Sequence, residues 1–336
     1  MYLFRKISIF VGAAAFLFAA FIPYVNAQDQ TDGGSGLQLS PTRTEISASA
    51  GESREVTLSL KNITQNDVVA KAFINDFESD NATGNPQIIV DNTERTPNSI
   101  SNMVKGLSDV ELKPNETKQI KLAVDIPGDA APGAYYGALR YAAVPKGQDL
   151  SSPQDQRQVS LTASVAHLVF IEVSGEINEQ IQIESLSIGK DAKGDNKEIK
   201  NSSIFLSSPN RSSLGIKNLG NGFSRPFGSV SINNMFNKEV YHYEVNATEP
   251  KGIVLPNSSR TFINNIENIK TPGRYTAVAA VAYGNGGEVV TYKSTFWYLP
   301  VWFLLAVVAI LVVIGSGIYL VYRKKYSSKS GRKNKK

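Results

Sequence analysis

No cysteine occurs anywhere in the 336 residues. That absence excludes disulfide-stapled scaffolds, thiolate metal sites and thiol nucleophiles, and it removes the cysteine pair that marks antibody-type immunoglobulin domains. Stability has to come from apolar cores alone. Histidine is nearly as scarce: His167 sits within an apolar run and His242 between two tyrosines. A general base needs a nucleophile to deprotonate and a group to orient it, and neither histidine has a nominee for either role. The sequence is therefore read as non-enzymatic, with no catalytic residue and no cofactor. A basic footprint is missing as well. Of 35 basic and 30 acidic residues, two basic ones lie in the first 27 positions and eight in the last 14, which leaves 25 basic against 30 acidic between them. A mildly acidic middle does not suit nucleic acid. Nor does any long amphipathic helical pattern precede residue 298.

What is present begins with two apolar segments at opposite ends. Residues 298–322, YLPVWFLLAVVAILVVIGSGIYLVY, carry no charge and supply the roughly 20 apolar residues that cross ~30 Å of hydrocarbon. A transmembrane helix is expected there. The following 323–336 tail has eight Lys or Arg and no acid, which places it on the cytoplasmic side. At the other end, Arg5 and Lys6 precede an apolar stretch over 7–22, and Val25-Asn26-Ala27 offers a small-residue cleavage pattern. Residues 1–27 read as a secretory signal peptide; the alternative, an uncleaved anchor, meets an apolar run that is short for a span. Either way the protein is expected at the cell membrane, single-pass, with its middle extracytoplasmic. Leu299-Pro300 ahead of an apolar run and basic tail has the layout of a sortase signal. Val301-Trp302-Phe303 stands where Thr and Gly would be required, so the helix is read as retained.

Between these ends the pattern is all-β. A polar, glycine-rich lead-in over 28–36 gives way to short runs with apolar residues at every second place, as in Val56-Thr57-Leu58-Ser59-Leu60 and Ile120-Lys121-Leu122-Ala123-Val124. Period two means half-buried strands. Gly284-Asn285-Gly286-Gly287 separates the clearest pair, residues that readily take positive φ in a hairpin. The chain also repeats itself. Leu58-Ser59-Leu60-Lys61-Asn62-Ile63, Lys113-Pro114-Asn115 and Pro132-Gly133-Ala134-Tyr135 recur as Leu214-Gly215-Ile216-Lys217-Asn218-Leu219, Leu255-Pro256-Asn257 and Pro272-Gly273-Arg274-Tyr275. The later two signs lie 18 positions apart in the first set (Pro114 to Pro132) and 16 in the second (Pro256 to Pro272). The reading is two immunoglobulin-like β-sandwiches in tandem, 37–175 and 176–297, followed by the span.

Leu39-Ser40-Pro41-Thr42-Arg43 leading into a Gly51-Glu52-Ser53 turn resembles the immunoglobulin-like start of periplasmic pilus chaperones. The whole layout, two such domains, a span and a short basic tail, resembles the WxL-interacting proteins of Gram-positive surfaces. Its more specific pieces are PGAYYGALRY over 132–141, then 221–227, 254–260, 272–275 and Thr295-Phe296-Trp297. The resemblance implies a first domain associated with peptidoglycan and a second with host or partner proteins. It assigns no ligand-binding residue here.

Three further patterns invite chemistry. Asp76, Glu78 and Asp80, with Asn81 and Gly84, suggest calcium, but a hand-type loop wants Gly sixth and Glu twelfth where Asn81 and Gln87 stand; a solvated turn is expected and no metal site is assigned. Tyr135, Tyr136, Tyr141, Tyr241, Tyr243 and Tyr283 could stack on sugars, yet strand aromatics ordinarily alternate between core and surface. Asn-x-Ser/Thr triplets beginning at Asn62, Asn81 and Asn115 are read as composition rather than glycosylation. The functional expectation is a non-catalytic, membrane-anchored surface protein binding peptidoglycan or another surface protein. The alternative is an assembly or secretion accessory acting by strand addition. Binding faces are expected on the first domain or the distal face of the second.

Overall fold

The computed structural model describes residues 36–90, 95–145, 164–191, 199–284 and 287–330. The expected signal peptide, nearly all of the lead-in and the last six residues of the tail lie outside them.

The first sandwich begins with β1 (Leu37–Ser40), β2 (Arg43–Ala48), β3 (Ser53–Asn62) and β4 (Val68–Asn75). It continues through β5 (Phe77–Ser79), β6 (Pro86–Ile88), β7 (Val104–Lys105), β8 (Val110–Leu112), β9 (Thr117–Asp125), β10 (Gly133–Pro145) and β11 (Ser164–Val173). One sheet has the order β1-β3-β9-β7 and the facing one β2-β11-β10-β4-β8. Between them lie the alternate residues expected from period two, among them Leu58, Leu60, Leu122, Val124, Leu139, Tyr141, Val169 and Ile171. Pro41, which has no N–H to give a ladder, marks the point where the first strand leaves one sheet for the other. β1 runs antiparallel to β3, and β2 runs parallel to β11.

The second sandwich contains β12 (Ile181–Asp191), β13 (Ile199–Asn201), β14 (Ile204–Phe205), β15 (Arg211–Asn218) and β16 (Phe227–Asn234). Then come β17 (Glu239–Val245), β18 (Ser259–Asn265), β19 (Gly273–Tyr283) and β20 (Glu288–Tyr298). Its sheets are ordered β13-β12-β15-β18 and β14-β20-β19-β16-β17 around a core that includes Leu214, Ile216, Val230, Ile232, Tyr275 and Phe296. Both domains are thus immunoglobulin-like, with four- and five-stranded sheets.

The internal repeat has a physical basis. Asn62 and Asn218, each buried at the end of an inner strand of its four-stranded sheet (β3 and β15), clamp a neighbouring segment. Asn62 Nδ2 donates to Lys113 O at 3.0 Å while its Oδ1 accepts from Thr64 N at 2.9 Å. Asn218 Nδ2 donates to Val254 O at 3.0 Å while its Oδ1 accepts from Gly220 N at 2.9 Å. Asn115 and Asn257, at φ +59° and +56°, turn the two Pro-Asn corners. The two Pro-Gly-x-Tyr signs are tyrosine corners: Tyr135 and Tyr275 hydroxyls donate to Ala131 O and Thr271 O, four residues back.

The tandem is joined by a third apolar cluster. Phe77, Ala134, Tyr136, Ala138 and Phe170 of the first sandwich bury Phe223, Ile253 and Leu255 of the second. Arg225 pairs across the junction with Glu45, which also holds Arg43.

α1 (Val301–Ser330) follows β20 after Leu299 and Pro300. Its Val301–Lys324 portion is apolar enough to cross a membrane and is nowhere buried against the sandwiches. Two sequence boundaries shift. The sandwich ends at Tyr298 rather than Trp297, because Tyr298 is buried and paired with Gly273. The helix starts at Val301, where Pro300 O accepts its first turn's amides from Phe303 and Leu304, and it continues into the basic segment past Tyr322.

Candidate functional site

A sheet edge with unpaired N–H and C=O groups is a template for another chain unless it is short, charged, bulged or covered. In the first sandwich, β1, β7 and β8 have two to four residues, and β2 carries Arg43 and Glu45. In the second, β13 has three. β17 carries Glu239, His242 and Glu244 beside a register shift. The free part of β12 is irregular between Ile183 and Ser185 and carries Glu184. The first sandwich covers the start of β18, where Thr261 N donates to Ala82 O at 2.6 Å and Ser259 N to Asn81 Oδ1 at 3.1 Å.

β20 is different. It pairs with β19 over all 11 of its residues without a register shift. On its other side β14 reaches only Trp297 and Tyr298. Among the described residues, 288–296 have no strand partner on that side. Trp297 and Leu299 donate their amides outward to Ser203 O and Phe205 O, both at 2.8 Å. By alternation Val289, Thr291, Lys293 and Thr295 present N–H and C=O to the open side. The even-numbered side chains point toward the facing sheet: Val290 packs at the margin of the core and Tyr292 is 37 % exposed. The run has no proline and Lys293 is its only charge after Glu288. A continuous, apolar-flanked edge of this length is what an added strand requires.

The two sandwiches differ here for a topological reason. In the first, the switch at Pro41 lays β2 along Leu168–Val173 of β11, starting with Leu168 N donating to Thr42 O at 2.9 Å. Among the described residues, Ser164–His167 of β11 have no partner in β2. In the second, the chain turns from β12 into β13 and reaches the facing sheet only at Ile204–Phe205.

The residues weighed in the sequence fall elsewhere. His167 is buried, with Nδ1 2.7 Å from Pro41 O. A carbonyl only accepts, so Nδ1 carries the proton, and Nε2 is left in the core without a partner. Burial holds this imidazole below the usual histidine range, against the opposing effect of the Pro41 bond. His242 is exposed on β17 beside Glu239. Asp76 and Asp80 serve separate ends: Asp76 accepts from Thr96 N and Ser99 Oγ at 2.6 Å, and Asp80 accepts from Ala82 N and Gly84 N at 3.0 and 2.7 Å. Tyr136, Tyr141, Tyr243 and Tyr283 are buried, and Tyr135 and Tyr241 are half-buried against the cores. Burial first, with nearby carboxylates adding to it, pushes the Tyr136 and Tyr141 phenols up to about 12. No exposed tyrosine platform forms from the six. A polar cleft of about 420 Å³ does lie between the ends of β17 and β18, lined by Glu244, Asn246, Thr248, Arg260, Phe262 and Asn264 among others.

No family model matches the sequence, and no curated protein matches it. Solved structures similar to the chain include the CupB2 chaperone of Pseudomonas aeruginosa, 16% identical, covering 76% of this chain and 98% of its own at a TM-score of 0.31. The class 5 fimbriae chaperone CfaA is 12% identical, covering 79% and 100%, at 0.37. The Escherichia coli chaperone DraB is 13% identical, covering 78% and 96%, at 0.31. The functional reading rests on the edge of β20 itself.

Proposed function

We propose that this is a membrane-anchored, extracytoplasmic, non-catalytic protein that holds an extended segment of another surface or secreted polypeptide as an added strand on β20. The observation that carries the reading is the side of β20 left without a strand partner over 288–296 among the described residues, while its other side pairs in register with β19 throughout. An incoming strand would bond to Val289, Thr291, Lys293 and Thr295, and its alternate side chains would meet Val290, Tyr292 and Ser294. In this reading α1 spans the membrane, the basic 323–336 tail stays cytoplasmic and both sandwiches lie outside. The resemblance of the layout to WxL-interacting proteins makes a secreted surface protein the partner to test first. Peptidoglycan is the second reading, supported by the polar cleft lined by Arg260 and Phe262.

The test places a photo-crosslinking residue at Tyr292 on intact cells, with Glu244 of the charged edge as control. A polypeptide adduct is expected from position 292 and not from 244. Thr291→Pro, which removes one outward N–H at an edge where proline is tolerated, should abolish it. An adduct that survives Thr291→Pro would sink strand addition. Retention of the full chain on peptidoglycan that is insensitive to Thr291→Pro would favour the glycan reading.

A further inference from the structure

The end of the second sandwich from which the chain leaves for α1 carries a ring of exposed apolar side chains. The β16–β17 turn puts Phe236 at its tip, 81 % exposed, and Met235 beside it, 59 % exposed. Asn234 holds this turn, its Oδ1 accepting from Phe236 N at 2.9 Å and Lys238 N at 3.1 Å. Met235 Sδ lies 3.2 Å from where a Cβ on Gly273 would sit, and Gly273 pairs with Tyr298 at the end of β20. On the other side of β20, Ile204 is opposite Trp297, and Leu206 follows Phe205, whose carbonyl accepts from Leu299 N. Ile204, Leu206 and Trp297 are all exposed. Lys190, Lys200, Arg211, Lys238, Lys270 and Arg274 stand at the same end, with Asp191, Glu239 and Glu267 among them. Basic side chains therefore surround the apolar ones, as suits a surface of anionic lipid.

The distance to lipid is fixed by the chain. Only Leu299 and Pro300 separate β20 from α1, and two residues span at most ~7 Å. The polar layer on one side of a bilayer is roughly 5–8 Å deep. If Val301 enters the hydrocarbon, the end of β20 lies within that layer, where Trp and Phe side chains partition favourably.

We infer that Phe236, Met235, Ile204, Leu206 and Trp297 form a docking rim that inserts into the interfacial layer of the same membrane that α1 crosses. This rests on the proposed membrane span. It gives the turns at this end a second attachment, ringed around the first, which fixes the tilt of the sandwiches on the lipid surface.

The chain's lack of cysteine allows a direct test. The full chain is reconstituted in phosphatidylcholine–phosphatidylglycerol vesicles carrying nitroxide lipids, with an environment-sensitive fluorophore on Phe236→Cys, Met235→Cys, Val289→Cys or Val312→Cys in turn. A label at 236 or 235 should shift to the blue and lose emission to a nitroxide placed near the headgroups. A label at 289, at the far end of β20, should do neither, and one at 312 should be quenched by a mid-chain nitroxide. Quenching at 312 with 236 and 235 as wet as 289 overturns the rim while leaving the span. No quenching at 312 removes the span and the rim with it. A blue-shifted but unquenched label at 236 means that protein covers the turn, and overturns the lipid assignment.

Discussion

Asn62 and Asn218 show how much a single polar side chain can specify. Each is buried where its strand ends, and each spends both ends of its amide on backbone groups that no ladder reaches. Leaving a buried carbonyl or amide unpaired costs about 1–3 kcal/mol. Asn62→Ala and Asn218→Ala should each lower the stability of their own sandwich by about that amount, read as a drop in the urea midpoint of the β-sheet circular dichroism of the full chain in micelles. No change in midpoint would mean that the clamps are incidental. His167 makes a different prediction. Its imidazole is held below its ordinary value near 6.5 by burial, so below that pH the unfolded chain binds a proton that the folded chain resists. Stability should fall as pH drops through about 6.5 and level off once the folded-state value is passed. His167→Asn keeps a donor for Pro41 O but does not titrate. The variant should lose this part of the pH dependence, and retention of the full slope would place its origin elsewhere.

Strand order decides what the elements can do. β20, its partner β19 and the glycine turn between them were readable in the sequence, as was the recurrence of Pro-Gly-x-Tyr, though not the hydroxyl bonds that make those signs tyrosine corners. That β20 lacks a neighbour was not readable, since edge status depends on where β14 lands, and a two-residue strand leaves no periodic signal. The sequence instead pointed to the first sandwich or the distal face of the second for binding, whereas the uncovered edge runs down the flank from the domain junction to the start of α1. The register also makes a prediction that separates the two sides of the strand. Odd-numbered amides face outward and even-numbered ones bond to β19. Val290→Pro should therefore cost a ladder hydrogen bond and destabilise by about 1–3 kcal/mol more than Thr291→Pro. Equal losses in the urea midpoint would show that the register, and with it the proposed binding side, is wrong.

At the scale of the molecule, the two sandwiches are not beads on a string. Segments of both domains meet at their junction: Pro132 and Ala134 receive Asn221, whose Nδ2 donates to Pro132 O at 3.1 Å and whose carbonyl accepts from Ala134 N at 2.9 Å. Two residues on, Phe223 meets the rings of Phe170 and Tyr136 at 5.5 and 6.1 Å. The sequence showed these segments as recurrent turns and an aromatic strand, but nothing local says that the outward face of β10 is covered. Tyr136, Ala138 and Phe170 look like surface positions until Phe223, Ile253 and Leu255 arrive from residues far along the chain. With the junction apolar and hydrogen-bonded, the two sandwiches should unfold as one unit, since separating them would expose the whole aromatic cluster to water. Phe223→Ala removes the ring that packs on Tyr136 and Phe170, for about 3 kcal/mol. Calorimetry of the full chain in micelles should then show one β-sheet transition for the parent and two for the variant. Two transitions in the parent would mean that the junction adds little, and that the edge of β20 and the first sandwich move independently above the membrane.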